Sequence, residues 1–415
     1  MERYCDYKDS GVKWIGRIPS HWKMKRLIYC GRFLKGKLPS NTNNDGIGFA
    51  IIGASEMNGK APSVFTEDNT IPFCDKSDIL FLWDGANAGL VANNMQGVIS
   101  STAVKFSCQD NEINNLYLYY LLKNYQRYYK DMVGGTTIPH MNIAYINATP
   151  MLVPSMKEQE TIANYLESTT LKIESAIVQQ QKMIDLLNER KQIIINNVVT
   201  KGLNPNVSMK DSGVDWIGEI PEHWEIKRGK FLFNIINEYS STGEEELLTV
   251  SDRTGITPRS MKNVTMFMAE SLVGYKKCKI GDICSNIMWM WHGAVGVTKY
   301  DGVISPSYGV YRQRELYYNG DYLDMLLRLP QLVKFYASRS TGLTESRLRL
   351  YPDDFMNIYF FVPPMEEQEM IVNRLKSICE PIESAIDAAT QQISLLQERK
   401  QIIINDVVTG KVKVS

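Results

Sequence analysis

Residues 53–61, GASEMNGKA, have the outline of a phosphate-binding loop, with two glycines and a lysine. Such a loop aims backbone N–H groups at phosphate, and the hydroxyl after its lysine holds magnesium. Here five residues separate Gly53 from Gly59 where four are needed, and Ala61 has no hydroxyl. Glu225-Ile226-Lys227 could end an acid-x-Lys nuclease motif, but it belongs to a phrase that occurs twice. The other copy reads Lys23-Met24-Lys25 and lacks the carboxylate, so both read as surface strand. Of four histidines, His21 and His223 stand beside Trp22 and Trp224 in that same phrase, which points to structure, while His140 and His292 are unpaired. Cys278 and Cys284 match no common zinc spacing. No Gly-rich strand–helix turn suits a dinucleotide or S-adenosylmethionine. The sequence offers no credible active site.

Composition permits a two- or three-domain globular protein. The chain has 415 residues, 44% hydrophobic and 22% charged, with a net charge of zero. The longest apolar runs, such as IYFFV at 358–362, are too short for a bilayer. MERYCDYKDS at the N-terminus does not resemble a secretory signal. Seven scattered cysteines suggest reduced thiols in a cytoplasm. No segment is a basic tail, so a DNA surface would be a local patch on a mixed-charge domain.

The chain repeats itself. KDSGVKWIGRIPSHWKMKR at 8–26 returns as KDSGVDWIGEIPEHWEIKR at 210–228. VPSMKEQETIANYL at 153–166 returns as VPPMEEQEMIVNRL at 362–375, and NERKQIIINNVVTKG at 188–202 as QERKQIIINDVVTGK at 397–411. The period is far longer than a solenoid repeat, so this is domain duplication. The ends of the two halves are nearly copied and the middles hardly align. Only fragments match, such as SDILFLWDGANAG at 77–89 and GDICSNIMWMWHGAVG at 281–296. Two segments therefore share a structural task, and two share a fold but read different things.

The ends predict long helices. Leu166, Thr170, Ile173, Ile177, Gln180, Ile184, Leu187, Lys191, Ile194 and Val198 follow a 4-3-4-3 spacing. So do Leu375, Cys379, Ile382, Ile386, Ala389, Ile393, Leu396, Lys400, Ile403 and Val407. This is a coiled-coil seam, on rods of about 65 Å at ~1.5 Å per residue. Two matched seams in one chain most simply face each other. Gly202 and Gly410 should stop the helices. Pro381 should bend or break the second.

The middles read as α/β domains. Residues 47–55, 76–83 and 97–106 are short β-rich runs. Residues 114–129 predict a Tyr-rich amphipathic helix, and 322–338 occupy the same place in the second half. Candidate DNA contacts in the first middle are Lys35, Lys37, Lys105, Arg127, Lys130, Thr136 and Thr137. In the second they are Lys276, Lys277, Lys279, Arg312, Arg314, Arg339, Arg347 and Arg349. Lysine and arginine bind phosphates, and arginine can also take guanine bidentately. Each taken singly reads as a solvated charge. The second group, set among Tyr and Ser, is harder to dismiss as a set.

W-I-G-x-I-P-x-H-W at 14–22 and 216–224, P-x-M-x-E-Q-E at 154–160 and 363–369, and the two ERKQIIIN-x-VVT endings carry a resemblance over the whole chain. The chain resembles the specificity subunit of a type I restriction–modification system. The resemblance implies an α+β fold of two tandem pseudo-symmetric halves. Target-recognition domains would occupy 1–152 and 207–361, and spacer helices 153–206 and 362–415, paired as an antiparallel coiled coil. Each domain would read one half of an asymmetric site in double-stranded DNA. The helices would space the readers and dock two copies of the modification subunit, with a restriction/translocase subunit in the full complex. Catalysis would lie elsewhere: S-adenosylmethionine, magnesium and ATP are expected on partner subunits only, and no membrane is involved.

Overall fold

The computed structural model describes residues 2–133, 139–262, 269–342 and 348–414. They fall into two compact units, Met1–Lys182 with Ala389–Ser415, and Met183–Ala388. The units cut across the sequence halves because each long helix is divided between them. The first long helix, Met156–Lys201, and the second, Met365–Val408, each contribute one part to each unit.

In the first unit, Ile162, Ala163 and Leu166 near the start of the first helix share a core with Ile404, Val407 and Val408 near the end of the second. Farther along, Glu174 meets Lys400 at 3.2 Å, so these two stretches run antiparallel. The second unit repeats the arrangement with the roles exchanged. Val199 shares a core with Ile371, Val372 and Leu375, and Lys191 pairs with Glu383. Every position of both seams is buried or half-buried, from Leu166, Ile173, Ile177, Ile184, Leu187 and Ile194 to Leu375, Ile382, Ile386, Ile393, Leu396 and Ile403. Pro381 does not break its helix, which runs through it without interruption. The ring lies on the exposed side, one residue before the seam.

The domain frameworks match strand for strand. Tyr7–Asp9 pairs with Arg17–Pro19 as Met209–Asp211 does with Glu219–Pro221. Lys23–Arg26 pairs with Pro150–Val153 as Glu225–Arg228 does with Tyr359–Val362. Each unit has an antiparallel four-stranded sheet. In the first its order is Gly31–Lys35, Ala103–Cys108, Ile79–Leu82, Val91–Ala92, and in the second Phe233–Ile235, Gly309–Gln313, Ile283–Ser285, Val295–Val297. The units part company in the chain inserted within this sheet. The first builds another four-stranded sheet that includes a parallel pairing of Gly97–Ile99 on Phe49–Ile52. The second builds the hairpin Leu248–Ser251/Gly255–Pro258 and the pair Lys276–Cys278/Gly302–Ile304.

The helix expected over 114–129 is two, Asn115–Asn124 and Gln126–Asp131, meeting at Tyr125. Its counterpart is also two, Gly320–Leu327 and Pro330–Arg339. There Pro330 forces the break, since it lacks an N–H and disfavours helix at the residue before it.

Candidate nucleic-acid interface

The repeated motifs assemble a joint between each globular domain and its helices. In the first unit the indole N–H of Trp22 donates to Glu158 at 3.1 Å, and His21 Nε2 lies 3.1 Å from the same carboxylate. In the second, Trp224 donates to Glu367 at 2.9 Å and His223 Nε2 lies 2.8 Å away. The adjacent glutamine does the other half of the work. Gln159 accepts from the amide of Asn114 and donates to the carbonyls of Glu112 and Pro154. Gln368 accepts from Asn319 and donates to Tyr317 and Pro363. Both glutamines are fully buried, which is tolerable only because their polar atoms are matched. Both tryptophans are buried too. By area that contributes roughly 4–6 kcal/mol each, an upper figure because an unfolded chain already shelters some surface. The E-Q of P-x-M-x-E-Q-E and the H-W of the repeated phrase are therefore two sides of one joint. His21 and His223 are structural.

The phosphate-loop outline is closed by its own chain. Gly53 caps the short helix Ala54–Met57, and its N–H is taken by the Glu56 carboxylate at 2.9 Å, which places negative charge where a phosphate would sit. Among the described residues no group of His, Cys, Asp and Glu could hold a metal, and no helix is long and apolar enough to cross a membrane.

Three candidate DNA contacts are committed to the fold. Asp78 and Asp282, both buried, precede matching central strands. Lys105 answers Asp78 at 2.9 Å, and Arg312 takes Asp282 with Nε and Nη2, both at 2.7 Å. A buried carboxylate needs such a partner, and removing it would leave an uncompensated charge. Lys276 is buried, donates to the Tyr308 carbonyl at 2.8 Å, and has its pKa lowered by burial. Basic residues at these positions were legible in the sequence, but their carboxylate and carbonyl partners are distant in it.

Two more line clefts beside the repeated phrase. Arg127 shares one with Trp14, Tyr128 and Lys411. Arg339, stacked 5.1 Å over Phe335, shares a cleft of about 520 Å³ with Arg228, Asp215 and Asp354. Lys35 lies 3.3 Å from Asp84, and Lys277 2.7 Å from Glu245, in pairs open to water. Lys37, Lys130, Lys279, Arg314 and Arg349 are exposed, and no ion pair holds them among the described residues. Thr136, Thr137 and Arg347 lie outside the described residues.

The structure joins two loops in each unit at corresponding places. In the first, Gly85 donates to Pro139 and Met141 to Trp83, which brings His140 beside Asp84. Gly89 meets the backbone of Lys130. In the second, the Leu350 amide donates to Ile287 at 3.0 Å, and Thr341 pairs with Arg349. The loop after the central strand and the loop after the helices thus form one surface, with Lys130 beside it in one unit and Arg349 in it in the other. An aromatic cluster in the second loop pair, Trp289, Trp291 and His292, was not singled out from sequence. The signal was there, as two tryptophans in a stretch longer than its counterpart at 77–89.

The family described as "Type I restriction modification DNA specificity domain" matches residues 19–182. Over 98% of this chain and 97% of the other, the sequence is 26% identical to the type I restriction enzyme MjaVIII specificity subunit of Methanocaldococcus jannaschii. It is 21% identical to the EcoBI specificity subunit of Escherichia coli over 77% of this chain and 71% of that one. The fold is that of a chain solved in work on complex assembly and conformational transition of the type I R-M system, with TM-score 0.67, 16% identity, and coverage of 95% of this chain and 99% of that one. With its repeated joints and its paired helix stretches, the chain is similar over nearly its whole length to type I restriction enzyme specificity subunits, and its residues 19–182 match their DNA specificity domain.

Proposed function

We propose that this chain is the non-catalytic DNA-reading subunit of a type I restriction–modification complex. Each recognition domain reads one half of a bipartite, asymmetric sequence in double-stranded DNA, and the long helices space the two readers. Methyl transfer and cleavage, with S-adenosylmethionine, magnesium and ATP, belong to partner subunits. The observation that carries this reading is the contrast inside each unit. The Trp–Glu–His joint and the strand pairings of the framework recur in both units, while the inserted strands and loops differ, as two readers of different half-sites require.

Two copies of the modification subunit dock on the helices. Besides its seam, each helix carries a second pair of apolar residues seven positions apart. Leu186 and Ile193 in the second unit match Leu395 and Ile402 in the first, and all four are at least half exposed. An apolar stripe left open on both units suits the same partner bound twice.

Of the basic residues, Lys37, Lys130, Lys279, Arg314 and Arg349 are the DNA contacts, together with Thr136, Thr137 and Arg347. Lys35 and Lys277 can join them, because water-exposed ion pairs exchange partners at little cost. The test is to sequence the methylated sites made by the modification subunits with this chain, and with its Arg349→Ala variant. The chain alone should transfer no methyl group. If Arg349 holds a phosphate, the variant should bind all sequences more weakly, with a salt slope lower by about one; if it holds guanine, it should relax one position by roughly 1–3 kcal/mol. Unchanged affinity, slope and specificity would remove the 340–350 loop from the interface.

A further inference from the structure

Trp289 is a large apolar side chain left open at the place where the second recognition domain joins its two loops. The residue is 53% exposed, and no hydrogen bond ties its indole N–H among the described residues. Yet it is held in a defined orientation. It stacks on Trp291 at 6.0 Å with the planes 17° apart, and His292 lies against both rings, 5.6 Å from Trp289 and 4.4 Å from Trp291. Trp291 is anchored in turn, its N–H donating to Met288 at 2.9 Å. Gly293 lets the chain turn back, with φ near +89° and Val333 3.3 Å from where a Cβ would stand. The result is one fixed aromatic ring backed by a second, with a flat face open to water.

The described residues of the first unit show no such face at the corresponding loop. Its corresponding loop is shorter and reads Trp83-Asp84-Gly85. Trp83 is half-buried against the core, and Asp84 faces Lys35 and His140. The aromatic platform belongs to one reader and not to the framework.

We propose that Trp289 stacks on a base of the half-site read by the second unit, at a step that this contact unstacks. The inference rests on the DNA-reading function proposed above and assigns it a residue. Three observations favour a base over a protein partner. The platform is rigid and planar. It lies on the loop that bonds the segment carrying Arg349, an exposed cation that no ion pair holds among the described residues. And it is confined to one unit, whereas a partner bound twice needs a surface present on both. Stacking on an indole tolerates any base, because every base has a π-face, so Trp289 would set the geometry of the site more than its sequence.

The experiment uses the complex with its modification subunits and a duplex whose site is read from the methylated positions in host DNA. Trp289→Ala should leave the melting temperature unchanged and weaken binding roughly 5- to 150-fold, the range of one aromatic–base stack. Trp289→Phe should recover most of that loss. Single abasic sites, scanned through both half-sites, should couple to Trp289→Ala at one position of one half-site and be additive elsewhere. Additivity at every position, or wild-type affinity in Trp289→Ala, overturns the proposal. So does a Trp289→Ala chain that loses its modification subunits while free DNA affinity is retained. If the wild-type complex shows no salt-sensitive preference for the duplex, the DNA-reading function itself fails, and this inference with it.

Discussion

The phrase at 8–26 and its copy at 210–228 differ at five positions, and burial sorts them. Four are exposed: Lys13 against Asp215, Arg17 against Glu219, Ser20 against Glu222, and Lys23 against Glu225. The fifth, Met24 against Ile226, is half-buried and stays apolar. Each exposed change moves toward acid, so the first unit presents a basic foot and the second an acidic one on the same backbone. Residues held by packing or by the Trp–Glu–His joint are copied, and the exposed positions have drifted toward acid. A partner that docks identically on both units cannot depend on these feet. It must use a surface that stayed alike, and the exposed stripe on the helices did.

The sharpest break of that comparison is in the stripe. Leu395→Lys with Ile402→Lys should cost the complex one of two modification subunits, since burying two unpaired charges would weaken docking by at least about tenfold. Reversing Lys13, Arg17 and Lys23 to glutamate should cost none. Native mass spectrometry of the assembled complex reads both, and loss of a subunit on reversing the foot would refute the argument from charge.

The joints themselves differ in one detail. Gly202 and Gly410 end the two long helices with φ near +75° and +72°. A Cβ on Gly410 would stand 2.4 Å from the Pro19 ring and 3.0 Å from Trp22, whereas on Gly202 it would meet the Glu367 carboxylate at 2.6 Å. A proline ring in a packed joint cannot yield, and a carboxylate can rotate. Gly410→Ala should therefore destabilise its unit by about 2–4 kcal/mol, and Gly202→Ala by about 1–2 kcal/mol. Urea melts of the two variants decide it, and equal losses would mean that the joints are equally tight.

The smallest effect is one of pH. Lys123 and Arg328 hold the same place, each nine residues beyond the asparagine that caps its helix, Asn114 or Asn319. Burial, with Lys400 and Lys130 nearby, pulls the Lys123 pKa down to about 8. Between about pH 8 and its ordinary value near 10.5 the unfolded chain binds the extra proton. The first unit should therefore gain stability as pH rises through that window. Hydrogen-exchange protection in the helix Asn115–Asn124, taken relative to the intrinsic rate at each pH, should rise accordingly, and Lys123→Met should abolish the trend. The second unit has an arginine, Arg328, in that place, so the helix Gly320–Leu327 should show no such change. A pH response that survives Lys123→Met would assign it to another group.

The sequence by itself determined what is periodic or repeated. The two seams, the duplication and the strand pattern of the middles all follow from spacing and from comparing one half with the other. Local chemistry misled where a tertiary partner overrides it. Lys105, Arg312 and Lys276 have the composition of a DNA surface, and only the fold brings Asp78, Asp282 and the Tyr308 carbonyl to them. Pro381 should break a helix by propensity, but helix packing on both sides carries the chain through it. The roles of Glu158 and Gln159, and of Glu367 and Gln368, were also closed to sequence, since apart from Pro154 and Pro363 the partners named above are 45 to 144 residues away. So was the division of each long helix between two units, because a seam specifies that it must be covered and only the folded chain decides by which residues.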